Sequence, residues 1–221
     1  MFHLISPTRI LIALSVVALL LPACSSSPSS PNTLAYDAPV SLAIKKDSLL
    51  PGTSIAYGGK TDAGAAKLVI IGLIAPKQTG DSVDWQGTPV PDVSIKLSTR
   101  VATFDDQSVT LVGTAHIEIA NVSVKPGGAP GTALIEFKAP VSFSINKDGL
   151  IPGSNVAYGG SSPDGAKFLG IEGYPYRKSL DSLQYVGRLG ARVFLTLDLR
   201  VLSFSDTNVV LGGTASIRIE S

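Results

Sequence analysis

The sequence predicts an all-β protein made of two tandem homologous antiparallel β-sandwich or small β-barrel domains, and three observations carry that reading. The first is an internal repeat. The stretch from Ala38-Pro39-Val40-Ser41 to Ile119 returns from Ala139-Pro140-Val141-Ser142 to Ile219, with about four aligned positions in ten identical and one residue fewer near Lys167. A repeat of roughly 100 residues is a domain-sized unit, far longer than a solenoid repeat. The second is the strict period-two alternation of apolar residues late in each copy, which is the signature of a strand with one buried face. The third is that no stretch after the N-terminal leader combines helical spacing with helix caps.

Taken in chain order, the first element is a leader rather than part of the fold. A weakly basic start, with His3 and Arg9, precedes an apolar run from Ile10 to Leu21. That run is too short to span about 30 Å of hydrocarbon comfortably, and it reads as a signal-peptide core over residues 1–23. Leu21-Pro22-Ala23-Cys24 follows, and then Ser25 to Pro31 alternate between serine and proline-rich sequence. This arrangement resembles the lipobox and tether of bacterial lipoproteins. The resemblance implies that Cys24 is lipidated and becomes the first residue of the mature chain. It also implies a cell-envelope location, lipid-anchored on the extracytoplasmic side of a bacterial membrane. Residues 24–32 then form an extended Ser/Pro spacer.

The first domain is expected over residues 33–122. Its Asp47 to Gly52 segment and the matching Asp148 to Gly153 segment carry turn chemistry, whereas Pro39 and Pro140 lack an N–H and belong at a strand edge or bulge. Val93, Ile95, Leu97, Thr99 and Val101 form the inward set of a long strand. After the turn Asp105-Asp106-Gln107-Ser108, a second long strand carries Val109, Leu111, Gly113, Ala115, Ile117 and Ile119 inward. Residues 123–131, rich in proline and glycine, read as a linker. The second domain, residues 132–221, repeats the plan. It has short strands at Leu134–Phe137, Val141–Ile145, Asn155–Tyr158, Lys167–Ile171 and Leu183–Val186. A closing hairpin follows, in which Val193, Leu195, Leu197, Leu199 and Val201 point inward and Phe194 outward. Whether each domain is a sandwich or a barrel, and whether the copies share one sheet, the alternation leaves open.

Composition narrows the chemistry. The chain of 221 residues has 18 Lys plus Arg against 17 Asp plus Glu, and loss of Arg9 with the leader leaves the mature protein formally neutral. No basic footprint for nucleic acid is present. One cysteine and two histidines supply neither a disulfide framework nor a Cys/His zinc site, so no metal and no cofactor is expected. His116, the one histidine outside the leader, sits on the outward set of its strand and is Ser216 in the second copy. No catalytic residue is therefore assigned. Asp105 and Asp106 read as turn formers, and the repeated Tyr57-Gly58-Gly59 and Tyr158-Gly159-Gly160 read as sites of a tight turn or close backbone approach.

The candidate binding residues are aromatic and cationic. Tyr174, Tyr176 and Arg177 lie in a proline-containing loop, with Tyr185 in the next strand and Trp85 at its equivalent position in the first copy. Arg100 and Arg200 form a repeated charged position on the polar face. Tyrosines offer an apolar face and a hydroxyl, a combination suited to sugar stacking or protein contact. The expected function is a membrane-anchored, non-catalytic binding or assembly module. Its partners would be the membrane through the lipid anchor and an envelope protein or glycan. Two alternatives are a carrier of an apolar small molecule in a barrel cavity, and a glycan hydrolase using carboxylates such as Asp81, Asp84 and Asp181.

Overall fold

A computed structural model of the chain describes residues 32–128 and 131–221. The leader, Cys24 and the spacer as far as residue 31 lie outside the described residues. The described residues form antiparallel β-structure, with no helix among them.

In the first half, β1 (Leu34–Lys45), β6 (Ser82–Val90), β7 (Val93–Phe104) and β8 (Ser108–Ile119) make a four-stranded sheet in the order β1-β8-β7-β6. A smaller sheet of β2 (Ser48–Leu49), β3 (Ile55–Lys60), β4 (Ala66–Ile70) and β5 (Leu73–Lys77) follows chain order. In the second half, β10 (Ala133–Asn146), β14 (Ser182–Arg188), β15 (Val193–Phe204) and β16 (Asn208–Glu220) repeat the larger sheet in the order β10-β16-β15-β14. The smaller sheet there is β11 (Ala157–Ser162), β12 (Gly165–Leu169) and β13 (Tyr176–Arg177).

Period-two patterning explains the long hairpins. Val93, Ile95, Leu97, Thr99 and Val101 are buried, and so are Val109, Leu111, Ala115, Ile117 and Ile119. Each burial of a large aliphatic side chain contributes about 1.5–3 kcal/mol. The proline-bearing strands β1 and β10 are the edges of their sheets, where a missing N–H leaves only the outer rim unpaired. The residue absent from the second copy falls in the β11–β12 turn: Lys60 pairs with Ala66 across five intervening residues, whereas Ser161 pairs with Ala166 across four.

Several details differ from the expectations drawn from the sequence. Strands run over Ala157–Ser162 and Gly165–Leu169 where Asn155–Tyr158 and Lys167–Ile171 were expected, because the bulge at Gly160 carries the first strand onward and Gly170 ends the second. The segments Leu134–Phe137 and Val141–Ile145 are one strand, because Pro140 pairs with Thr214 without breaking the ladder on an edge. Phe194, placed outward by the alternation, is buried because its ring lies under the Arg188 guanidinium, 6.0 Å from the centroid. Within the Pro/Gly segment, β9 (Lys125–Pro126) adds to β14, and the Ser123 N–H donates to the Leu189 carbonyl at 2.9 Å.

The buried residues of both halves form one continuous cluster. At the junction the contacts are reciprocal. Gly52 of the first half backs onto Leu134 and Ile135, while Gly153 of the second backs onto Leu34 and Tyr36. The edge strands β1 and β10 also approach each other there, although no strand of one large sheet pairs with a strand of the other among the described residues.

Candidate functional site

Several repeated residues hold the scaffold. The rings of Tyr57 and Tyr158 are fully buried, and their hydroxyls donate to the carbonyls of Asp105 and Ser205. Each therefore ties its small sheet to the turn of the long hairpin. Burial raises the pKa of both phenols, with Asp105 and Asp106 adding to the effect at Tyr57 and Asp206 at Tyr158. The glycines that follow serve a bulge: Gly59 and Gly160 have φ of 85° and 92° where the register of the small sheet slips.

The Asp105 carboxylate accepts hydrogen bonds from the N–H groups of Gln107 and Ser108, both at 2.8 Å. Those bonds hold its pKa below the usual carboxylate value. Asp81 and Asp181 play a comparable part at the start of the large sheets, accepting from the N–H groups of Gln78 at 2.8 Å and Lys178 at 2.7 Å. Arg100 and Arg200 donate to the carbonyls of Gly80 at 2.8 Å and Leu180 at 2.9 Å. Both thus clamp the loop that leads into β6 or β14. His116 pairs with Asp37 across the exposed face of β1 and β8 at 2.8 Å.

The two halves part company around Trp85 and Tyr185. In the first half the Trp85 indole is buried and its N–H donates to the Ser54 hydroxyl at 2.8 Å, so the large ring closes the space between the small sheet and β6. Beside it, β5 continues the small sheet for five residues. In the second half the smaller Tyr185 stands at the equivalent place and is only half-buried, with its hydroxyl over Gly187. The backbone of Asn155 approaches that hydroxyl without completing a hydrogen bond of ordinary geometry, and burial raises its pKa. The fourth strand is reduced there to the two residues of β13.

A groove of about 570 Å³ occupies the resulting space. Its walls include Asn155, Val156, Ile171, Glu172, Arg177, Gln184 and Tyr185. A second groove of about 470 Å³ adjoins it, sharing Arg177 and Ser182 and lined also by Asp164, Tyr174, Tyr176, Lys178 and Asp181. Tyr174 is 62% exposed, and its ring centroid lies 5.4 Å from that of Tyr176 at an interplanar angle of 59°. Arg177 separates the two grooves. Its Nε donates to the Ser182 carbonyl at 3.0 Å, and its Nη1 donates to the carbonyls of Tyr174 and Tyr176. Nη2 carries the remaining donors. The guanidinium is thus positioned before any ligand arrives, which lowers the ordering cost of a contact made with it.

The structure therefore brings Tyr174, Tyr176, Arg177 and Tyr185 to one place. It sets Trp85 in the core of the first half and gives Arg100 and Arg200 to loop carbonyls. Sequence reasoning missed Asn155, Gln184 and Glu172, since isolated polar residues in turns and on a strand face carry no distinguishing pattern. No group of three or more His, Cys, Asp or Glu suited to a metal ion occurs among the described residues. Comparison with protein-family models, with curated proteins and with solved structures finds no match.

Proposed function

We propose that the chain is a lipid-anchored protein of the bacterial envelope that acts as a non-catalytic binding module, and that its ligand occupies the twin groove of the second half. One observation carries this reading: the repeat is closed by the Trp85 indole and β5 in the first half, and open at Tyr185 in the second. A scaffold role alone gives no reason for the different filling of this place in the two halves, by the buried Trp85 indole in one and by the half-buried Tyr185 beside a groove in the other. The chemistry of the walls favours a saccharide of the envelope. The Tyr174 and Tyr176 rings offer tilted apolar faces, while Arg177, Asn155 and Gln184 bring donors and acceptors to the rim, as a polyhydroxylated ring with one apolar face requires.

Native mass spectrometry of the chain extracted gently from its own membrane tests this. The denatured mass is expected to show processing at Cys24 with added acyl chains. In titration with soluble cell-wall disaccharide and tetrasaccharide fragments, the native chain is expected to gain their mass. A Tyr174→Ala/Tyr176→Ala variant should lose that adduct while keeping its acyl mass. Equal adducts on both proteins, or none on either, would remove the groove from the proposal.

A further inference from the structure

The β4–β5 hairpin of the first half carries three exposed large apolar side chains within four residues. Ile71, Leu73 and Ile74 are 69%, 74% and 63% exposed. Leu73 and Ile74 are consecutive in a strand, so their side chains leave opposite faces of the hairpin, and Ile71 stands at its apex. Apolar exposure on both faces and the tip marks an element that protrudes beyond the body.

The turn itself is chemically unusual. Ile71 and Gly72 form a two-residue connection with φ of 52° and 78°, between the paired Ile70 and Leu73. Such turns are ordinarily Asn-Gly or Asp-Gly, and a β-branched residue in the left-handed region is a true outlier. An isoleucine here carries backbone strain that an asparagine would relieve, and it leaves an apolar side chain 69% exposed at the tip. The second half lacks this feature: Glu172 and Gly173 take the places of Gly72 and Leu73.

Position narrows the occupant. Ile71 N–H donates to the Ser54 carbonyl at 3.1 Å, and Gly52 just upstream backs onto Pro89 and, across the junction, onto Leu134 and Ile135, whereas the far end of β3 reaches the Asp105 turn through Tyr57. The hairpin tip thus points away from the Asp105 turn. It lies beside the junction of the two halves, on the side where β1 begins and the spacer enters, with Leu34 opposite Ile119, Ile119 opposite Val93, and the Asn32 carbonyl bonded to Val122 N–H at 2.9 Å. On the reading that Cys24 is acylated, the eight residue-to-residue steps from Cys24 to Asn32 can reach at most about 30 Å, so this end stays within that distance of the bilayer. Strand addition by a protein partner is disfavoured on the outer edge of β5, because Pro76 in that five-residue strand has no N–H to give.

We infer that the β4–β5 hairpin is a second membrane contact, with Ile71, Leu73 and Ile74 seated in the lipid interface beside the anchor. This rests on the anchor reading of the proposed function. The acyl chains on Cys24 hold the chain to the bilayer but leave it free to turn on its spacer, and an apolar tip adds a second contact that fixes which way the twin groove faces.

Because an acylated Cys24 has no free thiol and the fold has no other cysteine, a probe can be placed at one position. The full-length chain is purified from its membrane and carries bimane at Leu73→Cys or, as a control, at Val112→Cys. Val112 is 39% exposed on β8 near the Asp105 turn. Both are reconstituted in phosphatidylcholine–phosphatidylglycerol vesicles with brominated acyl chains. Quenching at position 73 more than about twofold above that at 112 is expected, as is its loss when Ile71→Asn is added. Equal, weak quenching at both positions on a chain whose mass shows acylation overturns the inference while leaving the anchor intact. Shielding of position 73 in native membranes but not in vesicles overturns it in favour of a protein partner. An unacylated mass with a labelled Cys24 refutes the anchor reading and the inference with it.

Discussion

Three buried tyrosines show how much a single hydroxyl decides. Tyr57 and Tyr158 each satisfy a carbonyl at a hairpin turn, whereas the hydroxyl of Tyr36 is enclosed at the junction beside Gly153 without a partner. Tyr57→Phe should cost about 1 kcal/mol, and somewhat more if the Asp105 carbonyl is left dry. Tyr36→Phe should be neutral or stabilising, since it removes a buried polar atom that has no hydrogen bond. Urea denaturation of the two variants checks the contrast, and equal losses would contradict it. Asp105 makes a pH-dependent contribution at the same turn. Its carboxyl titrates lower in the fold than in the unfolded chain, so the stability it adds is present above the unfolded value of about 3.9 and is lost as pH falls through the folded value. Asp105→Ser, which installs the residue of the second half, should therefore narrow its stability gap from the parent as pH drops below about 4. A gap that stays constant through that range would show that the carboxylate charge is not what holds the turn.

At the scale of elements, the long hairpins were legible because a strand buried on one face repeats every second residue, and Val93 to Val101 obey that rule without exception. The small sheets were harder to read. Their strands are only a few residues long, and the contacts that place them join residues far apart in sequence: Tyr57 with Asp105, and Trp85 with Ser54. The groove belongs to this second category. Tyr174, Tyr176, Arg177 and Tyr185 could be named as aromatic and cationic residues out of keeping with their first-copy counterparts, but their convergence depends on the shortening of the fourth strand to β13, which no local pattern announces. The β4–β5 turn offers an element-scale test. Ile71→Asn puts a residue tolerant of positive φ at the first turn position, and it should raise stability by about 0.5–1 kcal/mol in thermal or urea unfolding. A loss of stability would mean that Ile71 packs in the fold and that the exposed tip is not strained.

Across the whole molecule, sequence repetition marks two domain-sized units, and the buried side chains run through both halves as one cluster. The junction is built from reciprocal contacts at Gly52 and Gly153, each facing large apolar side chains of the other half, and β9 fastens the connecting segment to the second large sheet. Separating the halves would expose Leu34, Tyr36, Leu134 and Ile135 together. At about 25 cal/mol per Å² of apolar surface, such exposure weighs heavily against the small net stability of a domain. Unfolding should therefore be one cooperative transition. The single tryptophan makes this measurable, because Trp85 reports only on the first half while far-ultraviolet circular dichroism reports on the strands of both. In urea the two signals should trace coincident curves with one midpoint, and a Gly153→Leu substitution at the junction in the second half should lower the Trp85 midpoint along with that of the dichroism. Two separated midpoints, or a junction variant that moves only the dichroism, would mean that each half folds on its own and that the shared core contributes nothing to cooperativity. A single transition would instead mean that the groove of the second half and the apolar hairpin of the first are held in one fixed relation, so that a contact made by either orients the other.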